Sequence, residues 1–284
     1  MSTTQKHPYH LLDPSPWPLL SALSALLLCV GLLMFFAGDG ENVWADASVL
    51  MIGFATVVLI AALWWRDVIR EAESGLYHNE IVQLGLRYGM VLFIASEVMF
   101  FAAWFWAFFD VWFYHGGANS PELVMRTDPE VLGGVWPPAP LQGKLFDPWT
   151  IPFLNTVILV SSGATLTWAH HALRANHRKY LCSGLGITIL LGLTFTALQI
   201  VEYGEASFGF DEGIYPSIFY MATGFHGVHV VIGTIFLTVC FFRALVGHFT
   251  SHHHIGFEAA AWYWHFVDVV WLFLFTFIYW WGSL

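Results

Sequence analysis

Five of the ionisable side chains within the long apolar stretches of the 284-residue chain are the first candidates for a functional role, because a charge is costly there. They are Glu97, His226, His229, His265 and Asp268. The two members of each pair, His226 with His229 and His265 with Asp268, are three residues apart and would share one helix face. Imidazole and carboxyl groups can bind a metal, transfer a proton or join helices by hydrogen bonds.

The sequence places the carboxyl of Glu97 near the middle of the membrane. At about 1.5 Å per helical residue, it lies about 15 Å beyond Arg87, which is near the middle of a bilayer. Burial there penalises the charged form. Two interpretations remain open for Glu97: a proton-buffering or proton-relay carboxyl, and a structural carboxyl that is hydrogen-bonded to a neighbouring helix.

The histidines favour a polar network between helices, in which Asp268 or Glu97 accepts a hydrogen bond from a histidine N–H, over a metal or proton-transfer site. A bis-histidine haem would need histidines on facing helices, whereas His226 and His229 lie on the same one. The histidine run at 252–254 lies in a loop and is only a weak metal signal. We therefore predict no catalytic residue and no metal site in this chain.

Composition indicates an integral membrane protein. Hydrophobic residues make up 57% of the chain and charged residues 11%, compared with about 25% charged residues in ordinary soluble domains. The formal net charge of −10 argues against a nucleic-acid partner, because phosphate binding requires Lys and Arg. Three cysteines in separate apolar runs cannot build a disulfide framework.

Seven apolar runs are long enough to cross a bilayer as helices. They cover 17–37, 48–65, 88–109, 151–169, 181–203, 217–242 and 259–282. Eight of the ten Lys and Arg residues fall on the side of the N-terminus, which predicts a cytoplasmic N-terminus and a C-terminus on the opposite side. The long loop at 110–150 is rich in Pro and Gly, and we expect it to be ordered but non-helical.

The end of the second run has residues that suit a lipid headgroup. Trp64 and Trp65 are followed by Arg66 and Arg70. Tryptophan rings prefer the membrane interface, and a guanidinium can bind a phosphate through two hydrogen bonds. Anchoring by positive charge alone, without a bound lipid, is the simpler alternative.

Several motifs resemble cytochrome c oxidase subunit III, over residues 7 to 282. They occur at 86–90 with 96–98, at 167–171, at 222–230 and, as the longest, at 257–273 (FEAAAWYWHFVDVVWLF). The resemblance implies an all-α membrane fold in which helices one and two are separated from helices three to seven by a V-shaped, lipid-filled cleft. The corresponding domains are 1–87 and 88–284, the second containing the loop at 110–150.

The resemblance also implies a function. A member of this family is a non-catalytic core subunit of a proton-pumping oxidase, whose haem and copper lie in partner subunits I and II and which oxidises cytochrome c. It binds phospholipids, supports oxygen access and proton uptake, and protects the catalytic subunit from inactivation during turnover. A respiratory supercomplex is a further assembly to consider. The family's buried carboxyl matches Glu97, and its lipid contacts match Arg70, with Glu71 and His78 nearby and the Trp64–Trp65 pair beside them.

One alternative comes from a different functional class, an autonomous proton or ion transporter. It would use Glu97, His226, His229 and Asp268 as its path. For location we expect a bacterial inner membrane, since no transit peptide is evident, with the mitochondrial inner membrane as the alternative.

Overall fold

The computed structural model describes residues 12–37, 43–114, 136–138 and 141–284, and within these ranges it contains helices, turns and no strand. The seven long helices are α1 (Trp17–Ala37), α2 (Val43–Ser74), α3 (Glu80–Tyr114), α4 (Ile151–Arg174), α5 (Arg178–Gly204), α6 (Ile214–Val246) and α7 (Ile255–Phe273). After α7 the chain continues as a π-helical segment, Leu274–Trp280, and a short 3-10 segment, Trp281–Ser283. All seven helices are long and apolar enough to cross a membrane. The predicted all-α architecture with seven transmembrane helices is confirmed.

Most helices extend beyond the apolar runs that predicted them. The second run was expected at 48–65, whereas α2 covers Val43–Ser74, and α3 continues to Tyr114, five residues into the expected loop. The extension of α2 after Trp65 is mainly polar, whereas the last residues of α3, 110–114, are mainly apolar, so helical backbone continues past the predicted runs with either composition. Gly75 and Gly247 follow α2 and α6 with φ of +67° and +92°, a conformation that favours glycine.

Only part of the loop after α3 lies within the described residues. Residues 141–150 form turns, and Leu141 is buried. Nε1 of Trp136 donates a hydrogen bond of 2.8 Å to the carbonyl oxygen of Gly282 near the end of the chain. This part of the loop is therefore ordered and packed; most of 110–150 falls outside the described residues.

The chain divides into two compact units, Met1–Leu86 and Arg87–Leu284. In the first unit α1 and α2 pack closely through two glycines. A methyl group on Gly31 would lie 2.6 Å from Cα of Leu50, and one on Gly53 would lie 2.7 Å from Cα of Leu28. Small residues let the two backbones approach, as is typical of helix pairs in membranes.

The second unit has its core around α7. Trp264 and Trp271 of α7 are completely buried, and their indole nitrogens donate hydrogen bonds to Ser162 and Thr156 of α4. Gly192 of α5 and Gly233 of α6 leave room for the Trp264 ring, since a methyl group at either position would lie less than 3 Å from it. These contacts fix how α4, α5 and α6 are rotated about α7, and this rotation orients the polar side chains described below.

Candidate functional site

The predicted buried carboxyl, Glu97 on α3, contacts His229 on α6. Oε2 of Glu97 lies 3.0 Å from Nε2 of His229. The other ring nitrogen, Nδ1, lies 2.6 Å from the carbonyl oxygen of Phe225. Because a carbonyl can only accept, Nδ1 must carry a hydrogen and donate it. The Nε2–Oε2 contact then holds one further proton, either on the carboxyl or on the imidazole.

Aromatic rings surround this pair. The ring of Phe101 lies 5.1 Å from that of His229, and the ring of Tyr263 on α7 stacks on it at 6.2 Å. The side chains of Glu97 and His229 keep 22% and 12% of their exposure. The pair therefore lies at the edge of the second unit, in an apolar setting where the interaction between the two groups is stronger than in water.

The other predicted polar residues form two separate contacts. His226 is completely buried, and its Nε2 lies 3.1 Å from the carbonyl oxygen of Val267, so that it joins α6 to α7 as a donor. Nδ1 of His265 lies 3.5 Å from Oδ2 of Asp268 within α7, and its Nε2 lies 3.4 Å from Oγ1 of Thr167 on α4. No hydrogen bond found in the described part of the chain links these contacts to Glu97.

The residues expected to contact lipid lie at the end of α2. Trp64, Trp65 and Arg70 are exposed, and 69% of the Arg70 side chain is accessible. Nη1 of Arg70 lies 3.5 Å from Oδ1 of Asp67. Arg66 is tied to the same oxygen through two nitrogens, at 3.1 Å each. Among the other predicted lipid contacts, Glu71 and His78 are half-buried in the first unit.

Comparison with known proteins identifies the family. The family model described as "Cytochrome c oxidase subunit III" matches residues 7–283. Proteins named "Cytochrome c oxidase subunit 3" are similar over almost the whole chain. The one from Canis lupus is 55% identical over 282 residues, which is 99% of this chain and 100% of that protein. The one from Dugong dugon is 54% identical with the same coverage, and the one from Marchantia polymorpha is 52% identical over 286 residues and all of both chains.

The chain belongs to the cytochrome c oxidase subunit III family. It is therefore a non-catalytic subunit of cytochrome c oxidase, an enzyme of the respiratory chain, and it works in a complex with other oxidase subunits. Members of the family carry no redox centre of their own. In the described part of the chain, no group of three or more His, Cys, Asp or Glu side chains is placed to hold a metal ion.

Two polar contacts of this family member were missed from the sequence. Nε of Arg87 on α3 donates to Oε2 of Glu258 on α7 at 2.9 Å. The sequence signal was a pair of opposite charges at the same expected end of two helices. The second contact is between Glu202 and Tyr279: the tyrosine hydroxyl donates to Oε1 of Glu202 at 2.5 Å. Glu202 lies within the fifth apolar run, three residues after Gln199, and that spacing was the available signal.

Proposed function

We propose that this subunit binds phospholipid along α2 and holds an exchangeable proton between Glu97 and His229, and that both features support the catalytic subunit during turnover. The catalytic partners are subunits I and II, which carry haem and copper, and cytochrome c is reached through them. A respiratory supercomplex is a further partner. The observation that carries this proposal is the exposed Arg70 guanidinium near the end of α2, which follows the exposed Trp64 and Trp65 along the same helix.

The lipid proposal rests on the apolar side chains that are exposed in the first unit. Most large apolar side chains of α1 and α2 are exposed within the chain, among them Leu33, Phe36, Met51 and Leu59. Such faces need acyl chains or other apolar surfaces around them. Arg70 gives the same unit a planar donor group at the interface, which suits a phosphate. Glu71 and His78 lie close to it in sequence and would add polar contacts to a headgroup.

Oxygen access follows from the same proposal. Oxygen is apolar and dissolves better among acyl chains than in water, so lipid held against α1 and α2 would offer it a route through the membrane. Loss of that lipid would then slow oxygen supply and shorten the working life of the catalytic site.

The proton proposal rests on the geometry of Glu97 and His229. The hydrogen bond to Phe225 fixes the Nδ1 proton, so that the Nε2–Oε2 contact can release or take up one proton without moving any backbone. Such a pair buffers protons near a partner subunit that consumes them. This role supports proton uptake and requires no path across the subunit itself.

The membrane is proposed to be a respiratory inner membrane. A cytoplasmic or matrix N-terminus stays a prediction from the distribution of Lys and Arg. The expectation of a bacterial source also stays untested, and the similar proteins from Dugong dugon, Canis lupus and Marchantia polymorpha favour the mitochondrial alternative.

Replacement of Arg70 tests the lipid proposal. Arg70→Ala should lower the phospholipid retained by the purified oxidase and reduce the number of turnovers before inactivation, while the initial rate stays near that of the wild type. The measurements are phosphorus per oxidase and oxygen consumption over time.

Arg66→Ala is the matched control. It removes the same charge four residues away, but the Arg66 guanidinium is already held by Asp67 through two nitrogens. Equal effects of the two substitutions, or no effect of either, would show that Arg70 is only a positively charged anchor.

A further inference from the structure

A second buried carboxyl lies near the end of α5, away from the residues assigned above. Glu202 is 1% exposed. Its Oε1 accepts the hydroxyl hydrogen of Tyr279 at 2.5 Å and lies 3.3 Å from Nε2 of Gln199. Its other oxygen, Oε2, and the Gln199 oxygen have no hydrogen-bond partner within the described residues. Oε1 of Glu202 is therefore held by hydrogen bonds, whereas Oε2 of Glu202 and the Gln199 oxygen have no protein partner among the described residues.

The side chain of Asn155 on α4 lies at the same height in the bundle. The hydroxyls of Thr165 and Thr188 are 2.7 Å apart and set the register of α4 against α5, which run in opposite directions. Asn155 is ten residues before Thr165 on α4, and Gln199 is eleven residues after Thr188 on α5. Because the two helices are antiparallel, both residues lie on the same side of the threonine pair. At about 1.5 Å per residue, both lie about 15–17 Å from the threonine pair.

A second set of contacts supports this placement. Nε1 of Trp271 donates to Oγ1 of Thr156, the residue after Asn155, at 2.9 Å. The ring of Trp271 lies 5.7 Å from the ring of Tyr279, whose hydroxyl is bonded to Glu202. Asn155 is completely buried, and neither its Oδ1 nor its Nδ2 has a partner among the described residues.

These atoms define the chemistry that would satisfy them. Three are oxygens that can accept, on Asn155, Gln199 and Glu202, and the fourth is the Asn155 amide nitrogen, which can only donate. A bare cation would satisfy the oxygens but not this nitrogen. Water can donate and accept, and buried polar atoms that lack a protein partner are typically bonded to ordered water.

The second requirement concerns charge, because a carboxylate at Glu202 would need a positive partner. The titratable groups that act on Glu202 in the described part of the chain are Tyr203, Glu205 and Tyr279, and none of them can carry a positive charge. An isolated carboxylate in an apolar interior takes up a proton rather than remain charged.

We infer that Glu202, Gln199 and Asn155 form a hydrated proton site inside the bundle. A few water molecules bond to Oε2 of Glu202 and to the two amides. When the site releases its proton, the O–H bond at Oε2 breaks and the proton passes to this water; uptake reverses the step. Tyr279 and Gln199 keep Oε1 in place in both states. The site is separate from Glu97 and His229 and does not depend on the function proposed for them.

Infrared difference spectroscopy of the assembled oxidase tests this inference. The carbonyl stretch of a protonated carboxylic acid should be lost in Glu202→Gln and unchanged in Glu205→Gln, which alters an exposed acid three residues away. Glu97→Gln removes a different intramembrane acid and should leave the Glu202 band in place. In deuterated water the band should shift, because the site exchanges its proton through water.

A second variant and a second measurement cover the case in which Glu202→Gln does not assemble. Tyr279→Phe keeps the carboxyl but removes one donor to Oε1, and it should move the same band to higher frequency without abolishing it. A high-resolution map of the intact wild-type oxidase should show water between Asn155, Gln199 and Glu202. A carbonyl band whose frequency does not change in deuterated water would overturn the inference, and so would a map with no water between these side chains. A band that disappears when sodium chloride is added would also overturn it, because it would indicate a cation site.

Discussion

At the scale of single residues, the carbonyl oxygen of Phe225 decides how Glu97 and His229 can be protonated. It fixes a hydrogen on Nδ1 of His229, so the contact at Nε2 carries a single proton between base and acid. The pair can therefore be neutral and hydrogen-bonded or charged and ion-paired, and the two forms differ only in where that proton lies. Such a contact stabilises the packing of α3 on α6 in either form, and for this reason the structural and buffering roles do not exclude each other.

Glu97→Gln separates these roles. The glutamine amide can donate to Nε2 of neutral His229, so the helix contact is kept while the exchangeable proton is lost. We expect normal assembly and an initial rate of oxygen reduction close to that of the wild type, measured with saturating cytochrome c. A 100-fold loss of rate, about 2.7 kcal/mol of barrier, in a fully assembled enzyme would contradict the proposal that Glu97 is not catalytic.

Glu97→Ala is the companion variant. It leaves Nε2 of His229 without its partner in an apolar setting, which costs about 1–3 kcal/mol of stability. Thermal unfolding of the purified complex should show a lower midpoint for Glu97→Ala than for Glu97→Gln. Equal midpoints would mean that the hydrogen bond contributes nothing to the fold.

At the scale of elements, the α1–α2 pair depends on two positions where a side chain does not fit. Gly31→Ala and Gly53→Ala each place a methyl group within 3 Å of the facing backbone, which cannot move away as a flexible side chain would. We expect each substitution to cost about 1–3 kcal/mol and to lower the fraction of the chain that remains in the complex during purification, measured by quantitative gel analysis.

Gly89→Ala on α3 is the control for these substitutions. It adds the same methyl group to a helix, where nothing lies within 4 Å of the new atom. Retention in the complex should equal that of the wild type. If Gly89→Ala and Gly31→Ala behaved alike, the loss would reflect an added methyl group in any membrane helix rather than the contact between α1 and α2.

The helices could be predicted because lipid imposes a length and an apolar composition on every segment that crosses it. Their ends could not, since Val43–Ser74 and Glu80–Tyr114 continue as helix beyond the predicted runs 48–65 and 88–109. Which histidine Glu97 contacts was also beyond the sequence, because it depends on how α3 and α6 are rotated about their axes. Glu202 was overlooked for a simpler reason: it lies one turn from a loop that holds other acids.

At the scale of the whole molecule, family membership and the polar contacts lead to a subunit that acts through its neighbours. The intramembrane polar groups occur as separate contacts in the described residues, whereas a transporter requires a connected path across the membrane. The purified chain alone, reconstituted in liposomes, should therefore not conduct protons when a potential is applied, as measured with a pH-sensitive dye. Conduction above that of empty liposomes, lost in Glu97→Gln, would support the autonomous transporter instead.

Removal of the subunit from the assembled oxidase is the complementary experiment. If its role is to hold lipid and an exchangeable proton beside the catalytic subunit, the depleted enzyme should begin oxygen reduction at nearly the wild-type rate, because the haem and copper are elsewhere. It should then lose activity after fewer turnovers than the wild type, because the lipid that supplies oxygen and the pair that supplies protons are both missing. Adding back the wild-type chain should restore the number of turnovers, whereas adding back the Arg70→Ala chain should restore it only in part. A depleted enzyme that kept its wild-type lifetime would contradict the protective role, and an immediate loss of the initial rate would place this subunit in the catalytic step itself.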